Sequence, residues 1–170
     1  MPCRLPWYFE RAYRLDNFPA RQIYALIYGM LNYQLLHPQI LEALGSAGHG
    51  SGILIADGNY PFVTRANAAA KRVYLNLAPG LINATDVLKA IAPAIPIELA
   101  TVMLTNENKE APIVVDFRSI LPDNTPFRAI ERFGFYDAAR DSDVALVIAT
   151  GEQRIYANIL LTIGVVAPPK

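Results

Sequence analysis

The sequence predicts an α/β fold: a three-layer sandwich in which helices cover both faces of a central sheet, in a single domain. Three observations carry this. Apolar runs of strand length alternate with segments of helical apolar spacing, the pattern of repeated β-α units. The runs at 53–57, 144–149 and 159–163 are almost wholly apolar, as strands buried on both faces must be. And 170 residues, 53% hydrophobic and only 18% charged, suffice for one substantial core.

Taken in order, residues 1–29 read as an N-terminal extension outside the main domain, which spans 30–170. Trp7, Tyr8, Phe9 and Tyr13 crowd there with Arg4, Arg11 and Arg14, and an interaction arm is the alternative reading. A helix is predicted from about 20–35, with Ile23, Leu26, Ile27 and Met30 along one side. The next helix opens at Pro38, where a missing N–H costs nothing, and Gly45 and Gly48 weaken and end it. A strand at 53–57 stops at Asp57-Gly58-Asn59, a turn signal reinforced by Pro61.

Residues 72–77 alternate and predict a strand; 84–92 predict a helix that starts near Asn83 or Thr85 and stops at Pro93. A strand follows at 99–104, then a polar loop at 106–110. Pro112 at a first-turn position favours helix over strand for 113–121. A short helix at 133–140 and strands at 144–149 and 159–163 complete the chain.

Composition excludes several classes of function. Fifteen basic against fifteen acidic residues leave no electrostatic footprint for nucleic acid. No apolar stretch approaches the ~18–20 residues of a membrane-spanning helix. One cysteine, Cys3, cannot form an internal disulfide, and two histidines with it give no zinc-site spacing, so no metal is expected. The opening residues lack the pattern of a secretory signal, and the expected location is the cytoplasm.

Gly48-His49-Gly50-Ser51-Gly52 resembles a phosphate loop in composition. It leads from a helix into a strand, however, the reverse of a dinucleotide fingerprint. His49, between two glycines, has an imidazole that exchanges protons near neutrality; the alternative is a histidine on the last carbonyls of the preceding helix. Asp57 ends a buried strand, where open sheets place ligand-binding groups, or it simply closes an Asx-turn. Glu131-Arg132-Phe133-Gly134-Phe135-Tyr136 joins a cation, a phenol and two rings. Tyr156 and Asn158, two apart, would share one face of a strand. This donor and acceptor set suits a hydroxyl-rich small molecule, while His37 and Tyr60 read as structural.

The blocks ILEALGSAGHG, ILIADGNYP, ERFGFYDAAR and ATGEQRIYANILLTIGV, in that order, resemble the fucose mutarotase and ribose pyranase family (RbsD/FucU) from about Met30 to Val166. ERFGFY resembles the fucose branch, RVYLNLAPG the ribose branch. The resemblance implies a central mixed sheet, a main domain beginning near Met30, and a cofactor-free interconversion of the anomers or ring forms of a reducing sugar. It makes His49 the catalytic acid and implies sugar contacts from Asp57, Arg132, Tyr136, Tyr156 and Asn158, with Glu98 at a loosely matching position. It also implies a ring-shaped homo-oligomer, a pentamer, decamer or other closed form, with sites completed by a neighbouring copy. Where the family often continues GHG with an acidic residue, this chain has Ser51, which would deprive His49 of an electrostatic partner. A non-catalytic sugar-binding accessory of uptake or sensing is the alternative.

Overall fold

The computed structural model describes residues 34–168. The extension at 1–29, and all but the last two residues of the helix expected at 20–35, lie outside them. The elements are α1 (Pro38–Ser46), β1 (Gly52–Ala56), β2 (Lys71–Tyr74), α2 (Ala84–Ile91), β3 (Ile97–Met103), α3 (Ile113–Ile120), β4 (Phe127–Ile130), α4 (Arg132–Ala139), β5 (Val144–Ala149) and β6 (Ile159–Ile163). Pro38 opens α1, and Asn83 precedes α2 with its backbone N–H donating to the Asp86 carboxylate at 3.0 Å. Glu131 caps α4 by accepting from the N–H groups of Phe133 and Gly134.

The six strands lie in the order β2-β5-β1-β6-β3-β4. β2, β5 and β1 are parallel, β3 and β4 are parallel, and β6 runs antiparallel to its neighbours β1 and β3. Five strands therefore point one way, and the sheet is mixed. Their carboxyl ends share one edge with the start of β6; the starts of β1 and β3 share the opposite edge with the end of β6.

Every residue of β1 is buried, so both faces of the sheet are covered. Leu54 and Ala56 pack with Phe135 and Ala139 of α4 on one face. Ile53 and Ile55 point to the other, where α2 approaches β1. Each such aliphatic side chain contributes ~1.5–3 kcal/mol by leaving water, which makes β1 the mechanical centre of the fold.

Three expectations are corrected. The strand expected at 72–77 ends at Tyr74, because its partner among the described residues, β5, ends at Ala149; Leu77 beyond it is 85% exposed. β4 forms where the sequence predicts no strand. It is a four-residue strand that, among the described residues, pairs with β3 alone, and Arg128 and Ala129 interrupt any β-branched run. Tyr156 and Asn158 do not share a strand face, since β6 starts at Ile159 and Tyr156 sits before it at φ 63°.

Candidate active site

A cavity of about 230 Å³ opens at the edge where the five parallel strands end. Asp57, Arg132, Tyr136, Tyr156 and Asn158 all line it. β1 delivers Asp57, the approach to β6 delivers Tyr156 and Asn158, and α4 begins directly after β4 with Arg132. Tyr136, one turn later, shares the helix face of Arg132. Carboxyl ends of parallel strands are the usual place for ligands in open α/β sheets. The volume, below the ~300–1,000 Å³ of drug-sized sites, suits a single small ring.

Asp57 is buried, and protein N–H groups surround its carboxylate. Oδ1 accepts from Asn59 N at 2.9 Å; Oδ2 accepts from Asn158 Nδ2 at 2.9 Å and Ala157 N at 3.2 Å. Asp57 N in turn donates to Asn158 Oδ1 at 2.9 Å. Burial pushes the Asp57 carboxyl above the usual carboxylate range, and these hydrogen bonds pull only part of the way back.

The same clamp fixes Tyr156. A left-handed backbone costs a residue with a Cβ roughly 1–2 kcal/mol, so the surroundings must impose it. On one side Asp57 holds Ala157 and Asn158. On the other, Arg154 donates to the buried Glu152 through Nε at 3.0 Å and Nη2 at 2.7 Å, and to Asp116 of α3 through Nη1 at 2.8 Å. Burial raises the Glu152 carboxyl, but the hydrogen bonds and charge of Arg154 outweigh it, and the group ends below its ordinary range.

Tyr60, expected to be only structural, is a wall of the cavity. Its hydroxyl donates to Arg65 O at 2.6 Å and its ring meets Tyr136 edge-on, 5.5 Å between centroids. Burial, with Tyr136 beside it, holds its phenol well above the usual range. Asn59, Met103 and Ile155 also line the cavity. Position alone could have flagged Asn59 and Tyr60, which follow Asp57 at the end of β1. Met103 and Ile155 carry no such signal.

His49 and Glu98 are not part of this cavity. They sit on the opposite edge, where the His49 Nε2 lies 2.7 Å from Glu98 Oε2. Both side chains are more than half exposed, beside an apolar groove of about 330 Å³ lined by Leu44, Ile95, Ile163 and Val165 among others. The ring thus engages a carboxylate rather than the last carbonyls of α1, and the partner that Ser51 does not provide comes from β3. Within one chain, the length of β1 separates His49 from Asp57, roughly 16 Å for five strand residues.

Among the described residues, no three His, Cys, Asp or Glu side chains cluster as metal ligands, and no helix is long and apolar enough to cross a membrane.

A model of the RbsD / FucU transport protein family matches residues 30–166. The chain is similar to a fucose mutarotase of Homo sapiens, 33% identical over 146 residues that cover 78% of this chain and 91% of that protein. It is similar also to a D-ribose pyranase of Chloroflexus aggregans, 29% identical over 132 residues, 78% of this chain and 95% of that protein. Among solved structures, the fucose mutarotase from Streptococcus pneumoniae in complex with L-fucose superposes with a TM-score of 0.65, at 27% identity over 77% of this chain and 94% of that one. With four sequence blocks, the six-strand mixed sheet and a family model spanning most of its length in agreement, the chain belongs to the RbsD / FucU transport protein family.

Proposed function

We propose that this protein is a cofactor-independent monosaccharide mutarotase, interconverting the anomers or ring forms of a reducing sugar of the L-fucose or D-ribose type. The observation that carries this is the convergence of Asp57, Arg132, Tyr136, Tyr156 and Asn158 on one small cavity, in a chain whose relatives are named for such reactions. Arg132 and the two phenols present donors to sugar hydroxyls. Tyr60, Tyr136, Met103 and Ile155 offer apolar surface to its C–H face.

The chemistry is proton transfer. In ring opening the anomeric hydroxyl loses a proton, the C1–ring oxygen bond breaks to give the aldehyde, and the ring oxygen gains a proton. Closure on the other face of the carbonyl, or through another hydroxyl, reverses these moves. A positioned imidazole suits both directions at one pH, and such a group typically contributes ~10²–10⁴ in rate. His49 takes this role.

Proton transfer requires contact near 3 Å, and His49 lies at the far edge of its own sheet. The working site is therefore assembled from two copies, His49 of one serving the Asp57–Asn158 cavity of the next. Head-to-tail contacts of this kind give a ring where the rotation from copy to copy closes. The exposed Leu77 and Ile155 at one edge, and Val165 and Val166 at the other, are apolar surface suited to that contact.

Exchange NMR on the anomeric protons of L-fucose and D-ribose tests the reading. Faster exchange for one sugar, abolished by His49→Ala in a folded protein, is expected. Sugar contact without faster exchange in the wild type would leave a binding protein in place of an enzyme.

A further inference from the structure

The loop from Thr150 to Asn158 carries Tyr156 to the sugar cavity, and both of its feet are fastened to the end of β1. At the first, Thr150 Oγ1 donates to Ala56 O at 2.8 Å and Gly58 N to Glu152 O at 2.9 Å. At the second, the Asp57 carboxylate accepts from Ala157 N and Asn158 Nδ2. Arg154 lies in the span between them and places four donors on two carboxylates. Its backbone N and Nε both reach Glu152 Oε1 at 3.0 Å, Nη2 reaches Glu152 Oε2 at 2.7 Å, and Nη1 reaches Asp116 Oδ2 at 2.8 Å. Most surface ion pairs contribute little. This one differs, because the Glu152 side chain is only 3% exposed and the guanidinium grips both of its oxygens. Asp116 extends the grip to α3, which Ile113, Val114 and Phe117 anchor in the core.

We propose that Arg154 is a positioning residue for Tyr156: by clamping Glu152 and Asp116 together it sets where the Tyr156 ring and hydroxyl stand in the cavity. This rests on the mutarotase reading above, in which Tyr156 contacts the sugar. Arg154 itself does not line the cavity, whereas Ile155 and Tyr156 after it do. Its influence on a sugar must therefore pass through the loop. Tyr156 is the residue that transmits it, because φ 63° at a residue with a Cβ persists only where the surroundings impose it. Asp57 fixes the two residues after Tyr156, and the carboxylates of Glu152 and Asp116 fix the residue two before it. Lysine could not reproduce this fork, since a single ammonium does not present paired donors in fixed directions.

The test is a double-mutant cycle on sugar affinity in the full-length protein, from NMR titrations with L-fucose and D-ribose. Spectra of isotope-labelled tyrosine accompany it, with the Tyr156 ring assigned by its loss in Tyr156→Ala. Arg154→Ala should weaken binding about five- to tenfold, the scale of one lost hydrogen bond. In the Tyr156→Ala background the same change should cost less than about twofold, because a residue acting through Tyr156 has nothing left to act on. The Tyr156 ring signals should shift in Arg154→Ala. If that variant, with buried Glu152 unpaired, fails to fold, Arg154→Lys keeps a positive charge there and takes its place in the cycle. Equal weakening in both backgrounds would overturn the proposal, since Arg154 would then act by another route. Undiminished binding in Arg154→Ala, or Tyr156 signals that do not move, would overturn it too. Wild-type protein that binds a sugar without accelerating its exchange refutes the mutarotase reading instead and leaves the cycle to decide. If neither sugar binds, or Tyr156→Ala binds too weakly to titrate, the Tyr156 ring signals judge the proposal by themselves.

Discussion

Asp57 and Asn158, 101 residues apart, hydrogen-bond each other twice: Asp57 N donates to Asn158 Oδ1, and Asn158 Nδ2 donates to Asp57 Oδ2, each at 2.9 Å. With Asn59 N and Ala157 N added, three N–H groups occupy the Asp57 carboxylate. A carboxylate has about four acceptor positions, so Asp57 has capacity for one sugar hydroxyl at most. Its larger task is to join the end of β1 to the start of β6.

Removing the other half of that pair should therefore be felt in the fold. Asn158→Ala strands the buried Asp57 N–H and takes a donor from its carboxylate. A loss of about 1–3 kcal/mol is expected, the usual cost of unsatisfied buried groups. Urea unfolding of the variant against wild type measures it; an unchanged midpoint would mean that the pair is slack in solution.

Tyr156 provides a second check, on the backbone. At φ 63° any residue with a Cβ is strained and glycine is not. Tyr156→Gly should consequently be more stable than Tyr156→Ala by about 1 kcal/mol, although both lose the same ring. Equal stabilities would show that the turn relaxes when the ring is gone. Both variants should bind sugar more weakly than wild type.

The acid limb of stability should carry the mark of Glu152. Its folded-state pKa lies below the ordinary 4.5, so the unfolded chain binds the proton more readily. Its stabilisation is present above that ordinary value and is lost as pH falls through the lowered folded value. Asp57 has the opposite sign. Its raised folded value means that its contribution is full below the ordinary 3.8 and is lost as pH rises through that raised value. Glu152→Gln should flatten the loss between about pH 5 and the acid extreme, measured as unfolding free energy at a series of pH values. A variant as acid-sensitive as wild type would remove Glu152 from the account.

Much of the fold was legible because burial writes itself into sequence. β5 is an unbroken apolar run and β6 is interrupted only by Thr162, and both match their predicted bounds, while Pro38, Asn83 and Pro112 mark helix starts through first-turn and capping chemistry. The edge strands β2 and β4 were misjudged or missed, because a strand with one partner needs little apolar pattern and its length depends on that partner. At the site, Asp57, Arg132 and Tyr136 could be picked out by position and residue type. The contact of Glu98 with His49 could not be read from the sequence, since the irregular pairing of β3 beside it is a property of the sheet register. Nor could any local pattern reveal that Tyr156 is left-handed, which Asp57 and Glu152 impose from outside its own turn.

In the proposed site His49 of one copy acts at the cavity of another, and complementation tests this. His49→Ala and Arg132→Ala are each expected to be nearly inactive when pure. Co-expressed at equal levels, they should assemble mixed oligomers in which about a quarter of the interfaces join an intact histidine to an intact cavity. Exchange NMR should then find anomer interconversion restored towards that fraction of wild type. Mixed oligomers, verified by native mass spectrometry, that are no more active than their two parents would contradict the shared site.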